Sequence, residues 1–103
     1  MTGIEWTDPA VADLERIHDY IARDSVDYAD ALVERLILSV DQLGSFLESG
    51  RRVPESTNLK VRELLVEGYR VMYRLKKRTA QILAMIHGAR YLPGMKPKPW
   101  ATR

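Results

Sequence analysis

The segment between Val61 and Arg90 alternates apolar and polar residues in a pattern that predicts three consecutive β-strands. Two short breaks, one containing Gly68 and the other the basic run 76–78, predict tight turns between these strands. Because side chains alternate between the two faces of a strand, the middle strand should offer an apolar face to a core and a largely basic face to the other side. Its apolar positions are Tyr69, Val71, Tyr73 and Leu75, and the opposite positions are Arg70, Met72 and Arg74.

The third of these runs, from Ala80 to His87, is apolar at nearly every position. Such a run is typical of a central strand that is shielded by its neighbours or covered on both faces. A buried helix is the alternative, but the length of the run and the hairpin pattern before it favour a strand.

Two amphipathic helices are predicted before the strands. The first extends from Asp8 to about Arg23, because an Asp-Pro pair suits a helix start and apolar residues then recur at helical spacing. Ser25 can cap a second helix, from about Val26 to Phe46. The apolar stripe of this second helix consists of Ala29, Val33, Leu36, Val40, Leu43 and Leu47, widened by Leu32 and Ile37.

These elements predict the α+β class, as a two-layer sandwich. A short N-terminal strand at Ile4–Trp6 and an antiparallel helical hairpin should pack on one face of a C-terminal three- to four-stranded antiparallel sheet. The other face of the sheet should stay free and basic. Residues 1–90 are expected to form a single domain, and residues 91–103 an extended, basic, proline-rich tail that Trp100 can hold against the domain. An alternative interpretation of the apolar stripe on the second helix is that it forms the interface of a homodimer.

The composition narrows the class of protein. An apolar content of 46% and a charged content of 29% are ordinary for a soluble globular domain. No apolar run approaches the roughly 20 residues of a membrane span, and the N-terminus lacks the pattern of a signal peptide. The sequence has no cysteine, which excludes disulfides and thiolate metal sites. We therefore expect a cytoplasmic protein that makes no membrane contact.

The small net charge of +2 hides a strong asymmetry between the two halves of the chain. Residues 1–50 hold eleven acids and three bases, whereas residues 51–103 hold three acids and thirteen bases. A half as basic as this favours an anionic partner, either nucleic acid or an acidic polypeptide. The alternative is that the two halves attract each other within one fold.

The two histidines give little indication of catalysis. His18 lies on or near the apolar side of the first predicted helix, which favours a packing role, and His87 at a strand end is more often bonded to backbone. Their separation matches no recognised spacing of metal ligands. We therefore expect no metal and no other cofactor.

Short segments along nearly the whole chain resemble the RelE/ParE superfamily of bacterial toxins from type II toxin–antitoxin modules. The β-α-α-β-β-β order of that family agrees with the elements predicted above. The segments are Trp6-Thr7, Ala10 with Asp13-Leu14, Ile17 with Tyr20-Ile21, Gly50-Arg51 with Pro54-Glu55, Arg62-Glu63-Leu64, Gly68-Tyr69-Arg70-Val71 with Tyr73-Arg74, Ile82-Leu83 and His87-Gly88-Ala89-Arg90.

The resemblance implies one of two activities. RelE-like members cut mRNA on the ribosome, a reaction that needs an acid, a base and cations beside the phosphate, whereas ParE-like members bind DNA gyrase. Arg70 and Arg90 fall where RelE-like enzymes keep arginines, and His87 or Tyr91 has the chemistry of an acid or base. However, Glu63 stands where RelE has a lysine and would repel a phosphate, and the ending at His87 to Arg90 looks more like the ParE branch.

We therefore predict a ParE-like toxin that inhibits DNA gyrase by protein–protein binding and uses no catalytic residues. The resemblance also implies a cognate antitoxin with an acidic, partly disordered segment, which joins the toxin in a hetero-oligomer. Two alternatives stay open: a ribosome-dependent mRNA endonuclease, and an inactive toxin-like binding or corepressor module. The residues expected to bind a partner are Arg62, Arg70, Arg74 and Arg90.

Overall fold

The computed structural model describes residues 3–90, 94 and 96–101. Within these residues, five strands form one sheet in the order β1-β5-β4-β3-β2, in which only β1 and β5 run parallel. The predicted α+β fold is confirmed, with a sheet that is mixed and larger than expected. The elements are β1 (Gly3–Trp6), α1 (Asp8–Ala22), α2 (Val26–Leu43), β2 (Arg51–Arg52), β3 (Val61–Val66), β4 (Tyr69–Lys76) and β5 (Thr79–His87).

The helix ends follow local hydrogen bonding. Thr7, rather than Asp8, caps α1: its Oγ1 accepts from the Ala10 N–H at 3.3 Å and donates to the Ile82 carbonyl at 2.7 Å. Ser25 caps α2 as predicted. This helix ends at Leu43, earlier than expected, because the chain then continues through tighter i to i+3 turns.

The turn between β3 and β4 sets the register of the sheet. Glu67 and Gly68 both adopt positive φ angles, of 52° and 84°. A two-residue turn of this kind suits the twist of a β-hairpin, and it pairs Val66 with Tyr69. The pairing of all other residues in this hairpin follows from that contact.

The main core lies between the helical hairpin and one face of the sheet, here called the helix-side face. Strand residues such as Val71, Tyr73 and Ile82 meet the buried side of α2 there. Ile37, which the predicted stripe included, is 38% exposed, so the buried stripe is narrower than expected. The buried positions of α2 are Ala29, Leu32, Leu36, Val40 and Leu43.

The opposite face of the sheet, here called the outer face, is not entirely free. A second apolar cluster on this face joins Val53, Val61, Met72, Ala84 and Ile86, and Trp100 packs against it. The expectation of a free basic face is therefore wrong where this cluster lies, because Val53 of the loop after β2 and Trp100 of the segment 96–101 pack there. Neither helix in the described part of the chain is long and apolar enough to cross a membrane.

Candidate functional site

A buried network of ion pairs holds Arg70 on the outer face. Its Nε–H donates to Glu63 Oε1 at 2.6 Å, and its two terminal nitrogens donate to the Glu55 carboxylate at 3.1 and 2.7 Å. The second oxygen of Glu63 accepts from Arg51 Nε at 2.7 Å. The Arg70 side chain is only 8% exposed and that of Glu63 is fully buried. Two carboxylates of the same chain therefore neutralise Arg70.

The pairing also shifts the ionisation of its members. The hydrogen bond from Arg70 lowers the pKa of Glu55, and the hydrogen bond to Glu55 raises the pKa of Arg70. The expectation that Arg70 is exposed to solvent on a free face is wrong. The loop after β2 carries Glu55 onto the outer face, and Glu63 projects from β3 onto the same face.

Arg62 projects from the helix-side face instead, because its partner across the hairpin is the core residue Tyr73. Its Nη1–H donates to the Gly50 carbonyl at 2.9 Å, and its Nη2 lies 3.7 Å from the Glu48 carboxylate. Arg62 therefore anchors the segment between α2 and β2. It does not share a face with Arg70 or Arg74.

Arg74 lies on the outer face, where its partner across the hairpin is Val61 of the second apolar cluster. It lines a groove of about 770 Å³, here called the basic groove. Its Nε is buried without a hydrogen-bond partner in the described residues. This groove is the part of the outer face that stays open and basic. Its other lining residues are Glu5, Asn58, Lys60, Leu75, Lys76, Lys77 and Thr79.

A second depression, of about 690 Å³, lies between α1, the C-terminal half of β5 and residues 97–101, and is here called the α1–β5 cleft. Strand β1 pairs with β5 only as far as Ile82, so beyond that residue no described strand covers this edge of β5. The Met85 N–H donates to Asp13 Oδ2 at 3.0 Å. Arg16 pairs with the same carboxylate, and burial raises the pKa of Asp13. The cleft thus combines an uncovered strand edge with charged groups from α1.

His87 and Arg90 line the α1–β5 cleft. The His87 ring packs edge-on against the Tyr69 ring with centroids 5.3 Å apart, and its Nδ1 accepts from the Ala89 N–H at 3.2 Å. His87 is the strand partner of Tyr69 and lies towards the helix side, whereas Arg70 lies on the outer face. The structure therefore does not bring Arg70 and His87 together as a catalytic pair. Tyr91 falls outside the described residues.

His18 is half-buried, with one-third of its side chain exposed. Its Nε2 lies 2.7 Å from Asp30 Oδ1, and this hydrogen bond raises the pKa of His18 and links α1 to α2. Within the described residues, no group of three or more histidine, aspartate or glutamate side chains is arranged to hold a metal ion.

The sequence did not predict two contacts of these sites, and the position of a further residue, Arg62, was predicted wrongly. The position of Arg62 had a signal: a two-residue turn at Glu67-Gly68 places Arg62 opposite Tyr73, which is an inward position. The contacts of Asp13 with β5 and of Glu55 with Arg70 had no local signal, because each joins segments that are distant in the sequence.

Known proteins resemble this chain along most of its length. A family model described as "ParE toxin of type II toxin-antitoxin system, parDE" matches residues 4–91. A curated relative from Sinorhizobium fredii, named "Putative toxin Y4kP", is 32% identical over 92 residues, which cover 87% of this chain and 92% of the relative. A solved structure titled "Chromosomal ParDE TA system from P. aeruginosa" matches with a TM-score of 0.71 and 29% identity, covering 84% of this chain and 96% of that one.

The fold and these matches define a toxin of the type II toxin–antitoxin class. The chain belongs to the ParE toxin family.

Proposed function

We propose that this toxin inhibits DNA gyrase by binding to it, without a catalytic step of its own. The family assignment supports the proposal, and the state of Arg70 is the observation that carries it. A nuclease would need this guanidinium to hold the negative charge that develops on a phosphate. Here Glu55 and Glu63 occupy its donors, and His87 lies on the other side of the sheet.

Purified toxin is therefore expected to inhibit the supercoiling of relaxed plasmid by gyrase, with an effect that grows with toxin concentration. Primer extension on translated mRNA should show no new cuts. Normal supercoiling at excess toxin would overturn the proposal, and defined cuts within codons would point to the nuclease instead. If the protein fails to arrest growth when it is induced, the inactive binding module is favoured.

We further propose that a cognate antitoxin neutralises the toxin, in the cytoplasm, by occupying the α1–β5 cleft. Beyond Ile82 no described strand pairs with this edge of β5, so its backbone groups, apart from the Met85 N–H that Asp13 binds, are offered to an extended segment, as in strand addition. Tyr20 lines the cleft and is 65% exposed, which makes it a candidate anchor for an apolar side chain. Arg90 offers positive charge at the same place. An acidic, amphipathic segment complements all three features.

Replacing Tyr20 with serine is expected to weaken antitoxin binding by about 30-fold, because loss of a tyrosine anchor typically costs about 2 kcal/mol. Arg90→Gln should weaken binding and also reduce its dependence on salt. Isothermal titration calorimetry with the antitoxin measures both effects. The matched controls are Phe46→Ser and Arg52→Gln, at exposed positions outside the cleft. Controls that weaken binding as much as the cleft variants would place the antitoxin elsewhere.

A further inference from the structure

The basic groove is not used by any interaction proposed so far. Among the described residues, Glu5 is the one acid that lines the groove. It lies 3.6 Å from Lys76 Nζ and accepts from Gln81 Nε2 at 2.8 Å. No acid within the described residues pairs with the other cations of the groove. The cationic lining residues are Lys60, Arg74, Lys76 and Lys77.

Arg74 is the most informative residue of the groove. Its Nε is buried and makes no hydrogen bond in the described residues, and no bond of its terminal nitrogens is present there either. Burying a donor without a partner costs free energy. The side-chain oxygen of Gln81, the strand partner of Arg74, is also buried without a partner in the described residues, so we expect an acceptor from outside the chain to reach the terminal nitrogens of Arg74 rather than its Nε.

The residue types in the groove favour phosphate over a peptide as that acceptor. Six of the eight described lining residues are arginine, lysine, asparagine or threonine, whose side chains commonly bind phosphate oxygens. Leu75, the apolar lining residue, packs against the helix-side core. The described part of the groove therefore has no apolar pocket for the hydrophobic anchor that a peptide normally needs.

We propose that the basic groove binds the phosphate backbone of duplex DNA. Its cations stand on both sides of β4: Lys60 precedes β3 on one side, and Lys77 lies in the turn to β5 on the other. Cations in this arrangement can neutralise successive phosphates, while Arg74 donates hydrogen bonds to a phosphate from the floor of the groove. The choice of duplex DNA rather than RNA rests on the proposed function, because gyrase holds duplex DNA.

The test is fluorescence anisotropy of a labelled 20-base-pair duplex titrated with toxin alone, between 20 and 100 mM salt. Each phosphate contact that is lost should raise Kd about eightfold at 0.1 M salt and lower the salt slope by about 0.9. The double variant Lys60→Gln with Lys77→Gln should therefore bind about 60-fold more weakly, with a slope lower by about two. The control, Arg23→Gln with Arg52→Gln, removes the same charge at exposed positions outside the groove and should change neither value by a comparable amount.

Three results would overturn the proposal: no binding by the wild-type toxin at 20 mM salt, equal weakening in both double variants, or tighter binding to single-stranded RNA of the same length. Because no gyrase is present in this assay, its outcome is independent of the supercoiling experiment. DNA binding with the expected losses, together with unimpaired gyrase, would support the groove and overturn only the proposed target.

Discussion

Arg70→Met is expected to lower the free energy of unfolding by about 3–5 kcal/mol, the usual cost of removing one partner from a buried ion pair. The substitution leaves the Glu63 carboxylate fully buried and bonded only to Arg51, whose own side chain is 54% exposed. An uncompensated buried charge is costly because its hydration is lost without a full replacement. Urea denaturation followed by circular dichroism measures the loss as a shift of the midpoint.

The control for this experiment is Arg52→Met, which changes the exposed arginine next to Arg51 in β2. Surface substitutions of this kind usually alter stability by less than about 0.5 kcal/mol. If Arg70→Met also stayed within that range, Arg70 would not be the residue that holds the outer face together. The ion pairs that neutralise Arg70 would then contribute little to the stability of the fold.

Gly50→Ala is expected to destabilise the protein by about 3 kcal/mol, at the upper end of the usual cost of overpacking. An added Cβ would lie 2.5 Å from the Tyr73 hydroxyl oxygen and 2.7 Å from the Glu63 carbonyl oxygen. Neither neighbour can move easily: Tyr73 is fully buried, accepts from the Gly50 N–H at 2.9 Å and donates to the Leu47 carbonyl at 2.8 Å. Thermal denaturation of the purified variant measures the effect.

Gly3→Ala provides the comparison for that variant. Gly3 lies in an edge strand, and the nearest atom to an added Cβ is the Thr79 hydroxyl at 3.6 Å, an ordinary contact. We expect this change to be neutral or slightly stabilising, because it reduces the conformational entropy of the unfolded chain. Equal losses in the two variants would mean that contact with Tyr73 is not the cause.

The helices and the three long strands could be predicted because their signals are local. Periods of about 3.6 and 2 residues separate buried from exposed positions within each element, and Ser25 and Gly68 mark ends that depend on local backbone geometry. The parallel pairing of β1 with β5 could not be predicted in this way. It joins residues 3–6 to residues 79–82, and no local pattern specifies that contact.

The partners of the arginines were the least predictable feature. The alternating pattern correctly placed Arg70 on the opposite face of the strand from Tyr69 and Val71. A face with a polar pattern can still be buried by a loop, as Arg70 is here. Glu55 reaches Arg70 only because the chain after β2 folds onto the sheet, and that path is set by the whole structure. Arg74 has the same pattern in the sequence, yet it lines an open groove.

The most direct test of the central claim is the activity of a variant without the ion pair, Glu63→Leu with Arg70→Met. Replacing both partners leaves no unpaired buried charge, so the variant should regain most of the stability that Arg70→Met loses. Glu55 and Arg51 remain at the rim, where water can solvate them. Because we assign Arg70 a structural role, we expect the folded double variant to inhibit gyrase supercoiling within about threefold of the wild-type concentration dependence, a change of less than 1 kcal/mol. A folded double variant that is inactive would show that the Arg70 guanidinium itself acts on the target.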